Sequence, residues 1–265
     1  MTGPVPILLY HSVSADPPSW IAPFAVSPAT FAAHLELVMA SGREALTVSQ
    51  YLDGLRGKTA LPQRPVLITV DDGFADFADH ALPALAARNL PSTLYVTTGA
   101  LAGGAHETVL PTAAMLRGAD LPGLEAAGVE IGAHSHTHRQ LDLLPKREVA
   151  AELARSRDVL ADVLGHGIRS FAYPHSYWRP LVLRLVREAG YDSACAVGNR
   201  LSSAARDHHL ALTRLMVRAD TGADAVAAWL NGPGTGALPR RRRVLAFGWR
   251  QYRRARQPQR GRWSP

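Results

Sequence analysis

Cysteine is almost absent from this chain. Cys195 stands alone, so no intramolecular disulfide can form, and cysteine usage is silent on compartment. Long hydrophobic runs are missing too: no stretch of about 18 apolar residues occurs, so no transmembrane helix is expected. The N-terminus passes from Met1 into Ile7-Leu8-Leu9-Tyr10 without a basic flank, which predicts no signal peptide and a cytoplasmic protein. No internal repeat is visible. Acidic residues are missing from one region, 240–262, which carries ten arginines. The chain has 29 basic and 22 acidic residues, so without those ten arginines it has 19 against 22. The high pI therefore belongs to a tail. The expected organisation is a folded body over 1–232 and a basic tail over 233–265. A slightly acidic body offers no basic groove for nucleic acid, whereas the tail suits an anionic membrane surface, which would place the protein peripherally at the cytoplasmic membrane face. A solvated tail with no partner is the plain alternative.

What is present is apolar content of 47% over 265 residues, enough for a sizeable core and suited to one α/β barrel. Strand-like runs alternate with helical periodicity along the body, which predicts a mostly parallel sheet with helices outside. Strands are expected at 7–10, 66–70, 92–96, 129–131, 170–173, 193–197 and 210–217, and a weaker strand with a short helix fills 44–57. Residues 15–26 read as a loop. Ser27 and Pro28 start a helix as N-cap and first residue, and Gly42 stops it. Further helices are expected near 76–89 with a kink at Pro83, over 145–164 ending at Gly165, over 178–189 before Gly190, and from a Thr221 cap to about Leu230. Residues 231–236 read as a linker.

Four stretches carry chemistry. Leu67-Ile68-Thr69-Val70 reads as a buried strand that ends on two carboxylates, Asp71 and Asp72, before Gly73. Like charges at the mouth of an apolar strand are costly unless compensated. A turn at Gly73 can bring both to one site, one to bind a cation and one to move a proton; an ordinary Asp-Gly turn is the bland reading. His134-Ser135-His136-Thr137-His138 places three histidines in five residues. On an extended strand, residues four apart are separated by about 13 Å, too far to share one ion. Either the chain turns so that 134 and 138 meet, or 134 and 136 share a strand face, or the stretch is a solvated polar loop. The third stretch is Tyr173-Pro174-His175, after an apolar strand, and the fourth is His11, after Tyr10. All four follow the C-terminal end of an expected strand. In a parallel barrel those ends share one face, where active sites are built.

The sequence resembles the polysaccharide deacetylases, carbohydrate esterase family 4 with the NodB homology domain. The family's Thr-Phe-Asp-Asp-Gly motif reads here as Thr69-Val70-Asp71-Asp72-Gly73, and its His-Ser/Thr-x-x-His motif as His134-Ser135-His136-Thr137-His138. The resemblance covers roughly 5–217. It implies a distorted (β/α)7 barrel and metal-dependent N-deacetylation of an amino sugar in a glycan or glycoconjugate. By that pattern Asp72, His134 and His138 hold a divalent metal, Zn2+ foremost, Asp71 is the general base, and His136 is not a ligand. The family's Arg-Pro-Pro-Tyr-Gly motif departs: it aligns with Ala172-Tyr173-Pro174-His175-Ser176, so the arginine that tunes the base is missing there. The His175 amide inherits the contact to the oxyanion, with Tyr173 and Pro174 supporting it. The Leu-x-His motif that supplies the general acid is replaced near Leu212-Thr213-Arg214-Leu215, which keeps an arginine, Arg214. One branch of the family, including the deacetylase of poly-β-1,6-N-acetylglucosamine, places its acid histidine after the first strand. Leu9-Tyr10-His11 is similar to that branch and gives His11 the role. The alternative is a catalytically degenerate glycan-binding protein of the same fold, which the two departures favour and the intact aspartates and histidines oppose.

Overall fold

The structure, a computed structural model, describes residues 3–232; the basic tail and most of the expected linker lie outside the described residues. Ten strands and seven α-helices follow in order. They are β1 Ile7–Tyr10, β2 Ser12–Val13, β3 Ala25–Val26, α1 Pro28–Ala40, β4 Glu44–Leu46, α2 Val48–Leu55, β5 Pro65–Val70, α3 Leu82–Ala86, β6 Ser92–Val96, α4 Leu121–Ala126, β7 Val129–Ala133, α5 Lys146–Leu164, β8 Ser170–Ala172, α6 Pro180–Glu188, β9 Ser193–Val197, β10 Leu212–Met216 and α7 Ala223–Asn231.

Seven strands close a parallel barrel in the order β1-β5-β6-β7-β8-β9-β10, with β10 returning to β1. This is the (β/α)7 barrel expected. Its distortion is visible at β5, where β4 pairs with the first half of the strand through Ala45 opposite Val66, and β6 with the second half through Thr69 opposite Thr93. Side-chain alternation sorts each strand into two layers. Val66, Ile68 and Val70 face the helices, while Leu67 joins an inner cluster with Ile7, Tyr95, Ala172, Cys195 and Leu212. The same alternation directs Thr69 and Asp71 inward on β5 and Arg214 inward on β10. Gly132 is one place where glycine is required: an added Cβ would lie 2.6 Å from the Tyr95 ring and 3.0 Å from the Ser170 carbonyl.

The local signals act largely as expected. Ser27 Oγ accepts the Thr30 N–H at 3.0 Å. Gly165 closes α5 with φ of 74°. Some expectations need correction. The helix near 76–89 is a wide π-type turn over Phe77–Ala81 followed by a short α3, because Pro83 has no N–H to carry an α-helix through that point. Helix α6 starts at Pro180, not Trp178, with proline in its first turn. Thr221 does not cap the last helix: Gly222 does, while Thr221 Oγ1 accepts the Arg218 N–H at 2.9 Å. The same helix runs on through Asn231, which had been read as linker. Within 15–26, β3 pairs with β2 and ties that segment beside the barrel mouth.

Candidate active site

Four chain segments meet at the C-terminal mouth of the barrel. After β5 the chain turns at once, with φ of 77° at Asp72 and 88° at Gly73. The first value is unusual for a residue with a side chain and is tolerated best by Asp and Asn. The turn sends Asp71 into the barrel and swings Asp72 toward the loop after β7. That loop also leaves its strand sharply: Ser135 and His138 have φ of 61° and 60°, and the Ser135 hydroxyl accepts the His138 N–H at 3.0 Å. His134 and His138 are thereby brought together, with ring centroids 4.9 Å apart. One ligand atom from each of Asp72, His134 and His138 lies within 4.8 Å of the other two. Asp72 Oδ1 stands 3.5 Å from His134 Nε2 and 3.1 Å from His138 Nε2.

Two observations test whether this trio suits a cation. His134 Nδ1 lies 2.9 Å from the Ala172 carbonyl, to which it donates as N–H, leaving Nε2 with the free lone pair. Asp72 Oδ1, although close to His138, makes no hydrogen bond of good geometry and is buried. A buried carboxylate oxygen without a hydrogen bond, faced by two imidazole nitrogens, has the donor chemistry of a two-histidine, one-carboxylate site. His136 points elsewhere: its Nδ1 meets Thr98 Oγ1 at 2.8 Å and its Nε2 meets Glu107 Oε2 at 2.9 Å.

Asp71 is gripped from below. Arg214, fully buried, donates Nη1–H to Oδ1 at 2.6 Å and Nη2–H to Oδ2 at 2.7 Å. A guanidinium absent from the segment 172–176 is thus supplied from β10, with only β1 between the two strands. Burial works against the Asp71 charge, but Arg214 and the His134 and His11 imidazoles outweigh it and hold the carboxyl below its ordinary range. Asp72 is likewise held low against burial by His138. Burial is the main reason His134 falls to about 4 and His175 to about 3. His11 is lowered as well, by burial first, with Asp72 and Asp71 opposing it.

His11 lies across the mouth from the 134–138 loop, its ring tilted at 49° to that of Phe24 with centroids 5.5 Å apart; its Nδ1 is buried without a hydrogen-bond partner among the described residues. The segment that follows it is clamped by Asp76, which accepts the Ser12 hydroxyl at 2.5 Å. His175 and Ser176 both take left-handed conformations, φ 53° and 62°. Ser176 is pinned there by its N–H to the Tyr173 carbonyl at 2.8 Å and by the Val197 N–H to its hydroxyl at 3.0 Å. Tyr173 is fixed by its hydroxyl donating to the Leu210 carbonyl at 2.8 Å. The trio, Asp71, His11, Tyr173 and His175 line one recess of about 160 Å3.

Several contributors were not legible in the sequence. The His175 imidazole, beyond its amide, sits 4.8 Å from the His138 ring. Trp20, Phe24, Leu110 and Met216 form apolar walls drawn from three distant segments. Glu152 on α5 reaches the 136–137 backbone; an acid between Val149 and Leu153, on an otherwise apolar helix face, was the signal available. His208 and His209 stack on each other at 4.3 Å, before β10 and at the opposite end of the barrel from the recess that His11 and His175 line.

Comparison with known proteins agrees with this architecture. The family model described as polysaccharide deacetylase matches residues 58–194. YxkH of Bacillus subtilis (strain 168), named as a polysaccharide deacetylase, is 24% identical over 227 residues, covering 85% of this chain and 76% of that protein. The Streptococcus pyogenes deacetylase PplD, solved in complex with acetate, superposes with a TM-score of 0.77 at 22% identity, covering 87% of this chain and 99% of PplD. IcaB from Ammonifex degensii gives a TM-score of 0.75 at 25% identity, covering 87% of this chain and 98% of IcaB. With the family model spanning just over half of its residues, the chain belongs to the polysaccharide deacetylase family.

Proposed function

We propose that this protein is a metal-dependent deacetylase that hydrolyses the N-acetyl group of an amino sugar in a glycan or glycoconjugate. The observation that carries the reading is the convergence of Asp72, His134 and His138 on one point, beside an Arg214-held Asp71 in the same recess. The three would hold a divalent ion, with Zn2+ the best match to their donor atoms. When bound, such an ion acidifies water and polarises a carbonyl oxygen.

The remaining work falls to the chain. Asp71 takes the proton of the attacking water. Arg214 fixes the plane of that carboxylate with two parallel hydrogen bonds and keeps it ionised. The His175 amide, aimed by the left-handed turn, donates to the developing oxyanion. His11 delivers a proton to the departing amine, since an amide nitrogen leaves poorly as an anion. The supply of an arginine from β10 weakens one of the two arguments for a degenerate protein.

The test is a screen of N-acetylated amino sugars, free, polymeric and lipid-linked, before and after chelation and with Zn2+ restored. Expected is acetate release that chelator removes and Zn2+ brings back. Release indifferent to chelator would overturn the metal reading, and glycan binding without any release would favour the degenerate alternative.

A further inference from the structure

Between His134 and His138 the backbone turns twice through left-handed conformations beneath the barrel mouth. Such a loop carries N–H groups inward, and buried N–H groups need acceptors. Glu152 provides them from α5. Its Oε2 accepts the N–H of His136 at 3.0 Å and of Thr137 at 2.8 Å, and its Oε1 accepts the Thr137 hydroxyl at 2.5 Å. The residue is 7% exposed and sits on the inner face of α5 with Val149, Leu153 and Ser156. A lone carboxylate is expensive at such a place. Its partners among the described residues are three donors of one loop, not a basic side chain. The loop in question is the one whose two ends are candidate ligands.

We propose that Glu152 is a positioning residue for the metal centre: it fixes the 136–137 backbone so that His134 and His138 present their nitrogens to one ion. This rests on the metal reading above. The role is one of acceptor geometry. A glutamine at 152 has one oxygen, which can take both backbone N–H groups, and an amide NH2, which can donate to the Thr137 hydroxyl as that group rotates to accept. Alanine leaves both backbone N–H groups without an acceptor. Thr137→Val leaves only Oε1 without a donor.

The experiment uses the full-length protein stripped of metal and titrated with Co2+, followed by its visible spectrum and by competition with a chelator. Melting is recorded with and without the ion. Glu152→Ala is expected to weaken Co2+ binding by about 10–100-fold, the usual penalty for losing an outer partner of a metal ligand. The rise in melting temperature produced by Co2+ should shrink accordingly, because that rise tracks affinity. Glu152→Gln should stay close to the unmodified protein, and Thr137→Val should fall between the two. A Glu152→Ala protein that melts lower without metal yet binds Co2+ as tightly as the parent would reduce Glu152 to a structural brace and overturn the proposal. So would a Glu152→Gln protein as weak as Glu152→Ala. If Glu152→Ala does not fold, the glutamine and valine variants decide the matter, and parent-like binding by Thr137→Val counts against it. Failure of the parent protein itself to take Co2+ would bring down the metal reading, and this inference with it.

Discussion

The two ends of the barrel both carry clusters of charge, and they are built on opposite principles. At the N-terminal end, Arg169 forms two hydrogen bonds to Asp53 at 2.8 and 2.7 Å and a third to Asp192 at 2.9 Å, with Arg56 on the far oxygen of Asp192. Nearby, Asp207 accepts from Arg200, from the Ser202 hydroxyl and from the Ser203 N–H. The Arg169, Asp53 and Asp192 side chains are partly open to water, whereas the Asp207 carboxylate is buried; each of these carboxylates is matched by donors. At the C-terminal end, Asp71, Asp72, His134 and His138 are all less than 7% exposed. There Asp72 Oδ1, His138 Nδ1 and His11 Nδ1 remain without hydrogen bonds. Burying polar atoms unpaired costs roughly 1–3 kcal/mol each. The first cluster is braced by its own partners; the second keeps buried polar atoms without hydrogen bonds beside one recess.

The comparison can be sharpened most strongly at Asp71. Asp71→Asn nearly preserves shape, removes the proton acceptor and leaves the candidate ligands intact. Turnover should fall by about 10²–10⁴-fold, the range for general base work, with metal content unchanged. Loss of metal together with activity would move Asp71 from base to ligand.

His11→Ala tests the opposite wall of the same recess. Its effect should depend on the leaving group: large for an N-acetyl sugar, whose amine needs a proton, and small for an activated aryl acetate, whose phenolate leaves unaided. Equal slowing of both substrates would remove the leaving-group acid from this histidine.

The smallest effect is expected at the braced end. Arg169→Ala should leave turnover and metal content untouched and lower stability by at most about 1 kcal/mol, because the pair is partly exposed and screened. The loss should depend on pH with a definite sign. Hydrogen bonds from Arg169 hold Asp53 at about 2 in the folded chain, against roughly 3.9 unfolded. Stability from this pair is present above pH 4 and disappears as pH falls toward 2. The gap between the urea midpoints of parent and variant should therefore be full at pH 7 and close across that window. A gap that widens in acid would contradict the assignment.

Much of this organisation was legible one residue at a time. The β-branched run ending at Asp71, the Ser27-Pro28 helix start and the Gly165 stop are local statements, decided by sterics and hydrogen bonding within a few residues. The 134–138 stretch was legible in part: the distance argument required a turn if 134 and 138 were to meet, and the φ values at Ser135 and His138 supply one. Less local features were missed. The kink expected at Pro83 takes the form of a wide turn over Phe77–Ala81 just before it, and the Thr221 hydroxyl accepts the Arg218 N–H while Gly222 takes the cap position.

The chain's own sequence determined the parallel αβ alternation, the carboxylate pair at a strand end and the histidine loop, because period, turn chemistry and residue type act over short distances. Only the tertiary structure decided which arginine serves Asp71. Arg214 lies 143 residues away and reaches it because β1 pairs with β5 on one edge and β10 on the other, while strand alternation turns both side chains inward. The same closure sets His11 opposite the 134–138 loop, walls the recess with Trp20, Leu110 and Met216, and aims Glu152 at the 136–137 backbone. Each of those contacts depends on barrel closure and register, which no short stretch of sequence encodes.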